Sequence, residues 1–110
     1  MIRITAYIKP HRLEQVKSAI AALGVTGMNV ADVRGSGNSP EPAGPLSGTI
    51  KPLPIRSRIC VVVEDDLQEP VVEAIAASAK SGESGDGKIF VERVLDAVRI
   101  RTQERGILGL

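Results

Sequence analysis

The chain starts with an alternation of apolar and polar positions. Ile2, Ile4, Ala6 and Ile8 fall on one side and Arg3, Thr5 and Tyr7 on the other, which predicts a strand with one buried face. Lys9-Pro10 ends it, and a proline is tolerated where a helix begins. Leu13, Val16, Ile20 and Leu23 then recur at helical spacing, and Gly24 supplies a stop. A second strand is expected from about Met28 to Arg34 and a third from Arg56 to Val63. The Cys-Val-Val-Val run of the third suits a strand at the centre of a sheet. Asp65 or Asp66 is placed to cap a second helix, with Glu69 favouring its positive end. Leu67, Val71, Ile75 and Ala79 form that helix's buried stripe. Ile89 to Val94 reads as a fourth strand and Ala97 to Arg101 as a short fifth, followed by a tail over 102–110.

This order, strand-helix-strand twice over, predicts one α+β domain spanning 1–110. Its form is a ferredoxin-like double βαβ sandwich with a long loop between strands 2 and 3. Both helices cover one face of the sheet, so the other must be polar or find cover, and self-association is expected. The loop over 36–55 carries five prolines and three glycines and fits no regular element. A segment of that length inside a small domain reads as a mobile effector loop, with a plain insertion as its rival.

Charge and composition narrow the partners. The 14 basic and 13 acidic residues leave a net +1, which argues against a broad nucleic-acid surface. Tyr7 and Phe90 are the only aromatic residues, too few for a base-stacking sheet. Cys60 is alone and forms no internal disulfide, consistent with a reducing compartment. No apolar run reaches transmembrane length and no signal-peptide pattern opens the chain, so a cytoplasmic protein without membrane insertion is expected.

The chemistry concentrates in 81–88. Gly82, Gly85 and Gly87 free the backbone so that its amides can face an anion, and Lys88 adds a compact charge. The Gly-x-x-x-x-Gly-Lys spacing imitates a P-loop, but Ile89 replaces the hydroxyl that would reach magnesium. The loop also leaves a helix and enters a strand, so no helix N-terminus faces the phosphates. The rival reading is a plain turn built on Asp86-Gly87. Arg99 and Arg101 share one side of their strand, as do Arg56 and Arg58. Guanidinium forks suit phosphate and carboxylate, and each charge-assisted contact is worth roughly 1.5–3 kcal/mol, so two or three support micromolar binding. A solvated strand face is the rival for either pair taken alone.

The chain resembles the PII signalling proteins and their PII-like relatives. The similarity runs through Ile8-Lys9-Pro10, Gly27-Met28-Asn29-Val30, Val33-Arg34-Gly35-Ser36-Gly37, the glycine segment from Ser81 to Phe90, and Arg99-Ile100-Arg101-Thr102 with Glu104. The resemblance implies a homotrimer that binds ATP, ADP or AMP in clefts between subunits and performs no catalysis. Gly85, Asp86, Gly87 and Lys88, the family's B-loop, would cradle phosphates, with Arg99 and Arg101 reaching them from the adjacent subunit. Gly27, Met28, Asn29, Gly35 and Val62 match positions lining the adenosine, and Ser36 and Gly37 follow in the same binding segment. The segment 36–55 corresponds to the T-loop, which changes shape with ligand and docks on a target protein, in some relatives a membrane transporter.

Departures from the family pattern fall around that loop. It is shorter, it begins Gly35-Ser36-Gly37-Asn38-Ser39, and it lacks the glutamine that holds magnesium beside 2-oxoglutarate and the tyrosine that is uridylylated. No metal site is therefore assigned. Cys60 stands where an acidic residue is usual. Arg56 replaces a lysine, and with Arg58 and Ser39 it is the candidate holder of a second small anion, bicarbonate or 2-oxoglutarate. These changes point to a PII-like branch reading adenylate state, with inorganic-carbon uptake or a carboxysome as one setting. Two alternatives stand beside it: a ferredoxin-like interaction or metal-tolerance scaffold without a nucleotide site, and an enzyme with Asp86 as its base. His11 is expected to be exposed without a ligand role, and Cys60 to pack in the core.

Overall fold

Two strands at the middle of the sheet, β1 (Ile2–Ile8) and β3 (Ile55–Val63), pair antiparallel from Ile2 opposite Val63 to Ile8 opposite Ser57. β2 (Met28–Arg34) adds to the outer side of β3 and β4 (Lys88–Arg93) to the outer side of β1, giving the order β2-β3-β1-β4. The computed structural model describes residues 1–35 and 53–110. Helices α1 (Leu13–Ala21) and α2 (Gln68–Ala79) connect β1 to β2 and β3 to β4. The split βαβ arrangement expected from the alternating pattern is therefore the observed one.

The core lies between the helices and one face of the sheet. Ile2, Ile4, Ala6 and Ile8 of β1 and Ile59, Val61 and Val63 of β3 meet Val16 and Ile20 of α1 and Val71, Ile75 and Ala79 of α2, all of them buried. Burying side chains of this size contributes about 1.5–3 kcal/mol each, which is why period-two and helical spacing converge on one set of residues. Ile89 and Met28 pack against the edge of this core.

Four expectations are corrected. Leu23 is 37% exposed because α1 ends at Ala21, and Gly24 turns the chain at φ +86°; Val25 is buried instead. Neither Asp65 nor Asp66 caps α2 with its side chain, because a 3-10 turn over Asp65–Leu67 precedes the helix. Asp65 accepts from the Met1 ammonium at 2.8 Å and pairs with Arg93 at 3.4 Å. Cys60 is half-buried, not in the core: it lies on the sheet face away from the helices, where the Thr5 hydroxyl points at its sulfur from 3.8 Å.

Ala97 to Arg101 is not a fifth strand. Only Val98 makes a bridge, to Arg105, and the chain reverses between them. Gln103, at φ +61°, donates its N–H to the Arg99 carbonyl at 2.8 Å, and Arg99 donates to the Glu104 carbonyl at 2.9 Å. Asp96 ties the hairpin at its base by accepting from Arg105 at 2.7 Å and from the amides of Ala97 and Gly106 at 2.9 and 3.1 Å. A final 3-10 turn covers Gly106–Gly109.

Candidate functional site

The loop from Ser81 to Gly87 follows α2 and enters β4, the inverse of a P-loop's context. It is organised from inside by one carboxylate. Asp86 accepts from the Ser81 amide at 2.9 Å and the Gly82 amide at 3.1 Å, and also from the Ser81 hydroxyl. Lys9, at the end of β1, places its ammonium 3.4 Å from Asp86, 3.2 Å from the Ser81 hydroxyl and 3.6 Å from Glu83. The Ser81 hydroxyl bond, the two amides and Lys9 hold the Asp86 carboxyl well below the usual carboxylate range. Asp86 is thus turned into its own loop, with both carboxylate oxygens engaged by Ser81, Gly82 and Lys9.

Two glycines make this path possible. Gly87 has φ +109°, and a Cβ there would lie 1.7 Å from the Tyr7 carbonyl oxygen, so β1 and the loop touch where only glycine fits. Gly85, at φ +86°, lies under the Arg56 guanidinium: a Cβ would stand 3.1 Å from Nη2. The structure therefore brings Arg56 onto the glycine loop.

Strand register sets the rest. Lys88 of β4, Tyr7 of β1, Arg58 of β3 and Ala31 of β2 form one row across the open face. Two strand spacings place the backbones of Lys88 and Arg58 about 10 Å apart on either side of the Tyr7 ring. That ring is braced edge-on by Phe90, with centroids 6.0 Å apart. Lys88 is exposed, and its ammonium enters no ion pair among the described residues. Lys9 and Lys88 thus differ in kind: Lys9, 14% exposed at its side chain, binds the loop's own groups, whereas Lys88 faces out.

The remaining candidates spread along the sheet. Gly35 follows β2 at the same end as Arg56, where its amide donates to the Pro54 carbonyl at 3.1 Å and draws the long loop's ends together. Leu53 and Pro54 are the described remnant of the 36–55 segment, Ile55 already belongs to β3, and Ser36, Gly37 and Ser39 lie outside the described residues. Gly27, Asn29 and Val62 sit at the far end of β2 and β3, with Asn29 opposite Cys60 on the open face. The Met28 side chain packs against the core from the other face. Arg99 and Arg101 are exposed on the hairpin turn, and Arg99 donates to the Leu110 carbonyl. Among the described residues no hydrogen bond or ion pair joins either arginine to the glycine loop.

Sequence reasoning gives no role to Lys9 or to the Ser81 hydroxyl, which hold the loop together in the structure. Nothing local couples Lys9 to a loop in the second half of the chain; only the pairing of β1 with β4 does.

A family model described as nitrogen regulatory protein P-II matches residues 1–104. The chain belongs to the P-II family. It is 42% identical over 109 residues to nitrogen regulatory protein P-II 1 of Methanothermobacter thermautotrophicus, covering 96% of this chain and 94% of that protein. It is 43% identical over 104 residues to nitrogen regulatory protein P-II of Rhizobium etli, covering 92% of each. Arabidopsis thaliana PII, in a crystal structure bound to citrate, superposes with a TM-score of 0.81 at 36% identity, covering 99% of this chain and 91% of that one. P-II proteins are regulatory proteins that form trimers and generally bind ATP or ADP.

Proposed function

We propose that this P-II protein binds an adenine nucleotide between subunits of a trimer and signals adenylate state through its 36–55 loop to a target protein. One observation carries the reading: a glycine loop already closed by its own Asp86, presenting an outward Lys88 beside Arg56 and Arg58. That is a fixed concentration of positive charge on one end of the sheet, suited to phosphates.

Geometry favours a site shared between copies. Asn29 and Gly35 lie at opposite ends of β2, about 20 Å apart at strand rise. Gly35, an adenosine candidate like Asn29, thus lies at the Arg56 end of the sheet. The adenosine candidates Gly27, Asn29, Gly35 and Val62 therefore suit two neighbouring chains better than one, with phosphate contacts from Gly85, Gly87 and Lys88 at the Gly35 end. Met28 contributes through its backbone, since its side chain packs against the core. Arg101, on an exposed turn, is placed to reach a neighbour's phosphates, and Arg99 would do so by exchanging the Leu110 carbonyl for a phosphate. The second anion is a small carboxylate or bicarbonate held at Arg56 and Arg58; the citrate of the Arabidopsis relative supports a carboxylate ligand. The setting is cytoplasmic, with a transporter or other carbon- or nitrogen-handling protein as target, and no step requires catalysis.

Thermal unfolding with ATP, ADP and AMP tests this reading. A ligand at a hundredfold excess over its dissociation constant stabilises the folded protein by about 2.7 kcal/mol, a shift on the order of 10 °C. Absence of any shift with all three adenylates, while the protein remains folded, would leave the trimeric scaffold without a nucleotide site as the better account.

A further inference from the structure

We propose that Lys9 is a positioning residue: its ammonium, bridging Asp86, Ser81 and Glu83, latches the glycine loop in the shape that points its outer amides and Lys88 at a phosphate. The latch itself stands on geometry; its consequence for phosphate affinity rests on the nucleotide reading above.

The loop's curl depends on Asp86 accepting from the Ser81 and Gly82 amides at 2.9 and 3.1 Å. With two amides and a hydroxyl on it, that carboxylate still needs a counter-charge if phosphate is to approach, because an uncompensated carboxylate within the loop would repel it. Lys9 supplies the charge from below, 3.4 Å from Asp86, and is itself mostly covered. Its stem passes 3.7 Å from where a Gly85 Cβ would lie, so the same side chain also supports the loop's tip. The other groups facing Lys9 are the Ser81 hydroxyl at 3.2 Å and Glu83 at 3.6 Å, the latter 81% exposed at its side chain and a weak partner. Pro10 begins a 3-10 turn immediately after Lys9 and limits its backbone, so the ammonium is presented from a rigid strand end. Lys9 meets phosphate only through the loop it holds, so it acts by positioning.

The test uses the whole protein in three forms: wild type, Lys9→Met and Lys9→Arg. Amide hydrogen exchange without nucleotide reads the latch directly. In Lys9→Met the Ser81 and Gly82 amides should exchange about tenfold faster, with the β1 and β3 amides unchanged, and Lys9→Arg should restore most of the protection. Titration with ADP and with adenosine reads the consequence: Lys9→Met should weaken ADP roughly tenfold and leave adenosine within about twofold. Unchanged exchange at Ser81 and Gly82 in Lys9→Met overturns the latch. Equal losses for ADP and adenosine overturn the positioning role. A wild type that binds no adenylate sinks the nucleotide reading alone, because the exchange result still stands or falls by itself. If Lys9→Met does not fold, Ser81→Ala, which removes one of the three groups Lys9 contacts, should speed the Gly82 amide in the same way, and an unchanged Gly82 rate overturns the proposal.

Discussion

Gly87 carries the tightest constraint on the glycine loop. At φ +109° a side chain is strained, and its Cβ would overlap the Tyr7 carbonyl. Strain and overpacking together predict that Gly87→Ala loses at least about 2 kcal/mol of stability in denaturant unfolding; an unchanged midpoint would mean the loop does not pack on β1 as described. Asp86 sets the loop's response to acid. Its pKa is depressed, so the stability it contributes is present above the ordinary carboxylate value, near 3.9, and is lost as pH falls towards and through its lower folded value. The stability difference between wild type and Asp86→Asn should be largest near neutral pH and shrink on acidification below about pH 4. A difference that stays constant into acid would contradict the internal hydrogen bonds. At this scale the sequence was informative about residue types but not about direction. The tight backbone path of the glycines and the outward charge of Lys88 were legible, whereas the Asp86 carboxylate serves the loop's interior. Which way an acidic group faces depends on Lys9, brought near only by strand pairing.

Regular elements were legible wherever one face was buried. The alternation of β1 and the spacing of Val71, Ile75 and Ala79 report directly on burial, and both recur in the structure. The 97–106 hairpin was misread because Val98 and Ile100 imitate alternation without a buried face: they are 47% and 95% exposed. Charge holds that element together in place of apolar packing. Asp96, bound chiefly to Arg105 and also to the Gly106 and Ala97 amides, has its carboxyl lowered by those contacts. Asp96→Ala should therefore loosen the hairpin, and trypsin should cut after Arg99 or Arg101 several-fold faster than in wild type. Equal cleavage rates would show that the bridge between Val98 and Arg105 stands without Asp96.

The whole molecule presents two unlike sheet faces. One is sealed by α1 and α2; the other carries Arg3, Tyr7, Arg58, Cys60, Lys88 and Phe90 without a covering layer in the single chain. Self-association was legible from that asymmetry, since both helical stripes face the same way. The trimer number came from the family and not from any pattern of residues. That the candidates Gly27, Asn29 and Val62 lie at the end of the sheet away from Gly35 and Arg56 was invisible in the sequence, because only the pairing of β2 with β3 shows which ends lie together.

Calorimetric titration of ADP and ATP into the assembled protein, wild type beside Lys88→Ala, probes the central claim most directly. The expected result is micromolar binding of at least one of the two nucleotides at one site per subunit, in a particle of three 11.6 kDa chains, weakened ten- to a hundredfold by Lys88→Ala. Equal affinity in the two proteins, or no heat from a folded wild-type trimer, would contradict it.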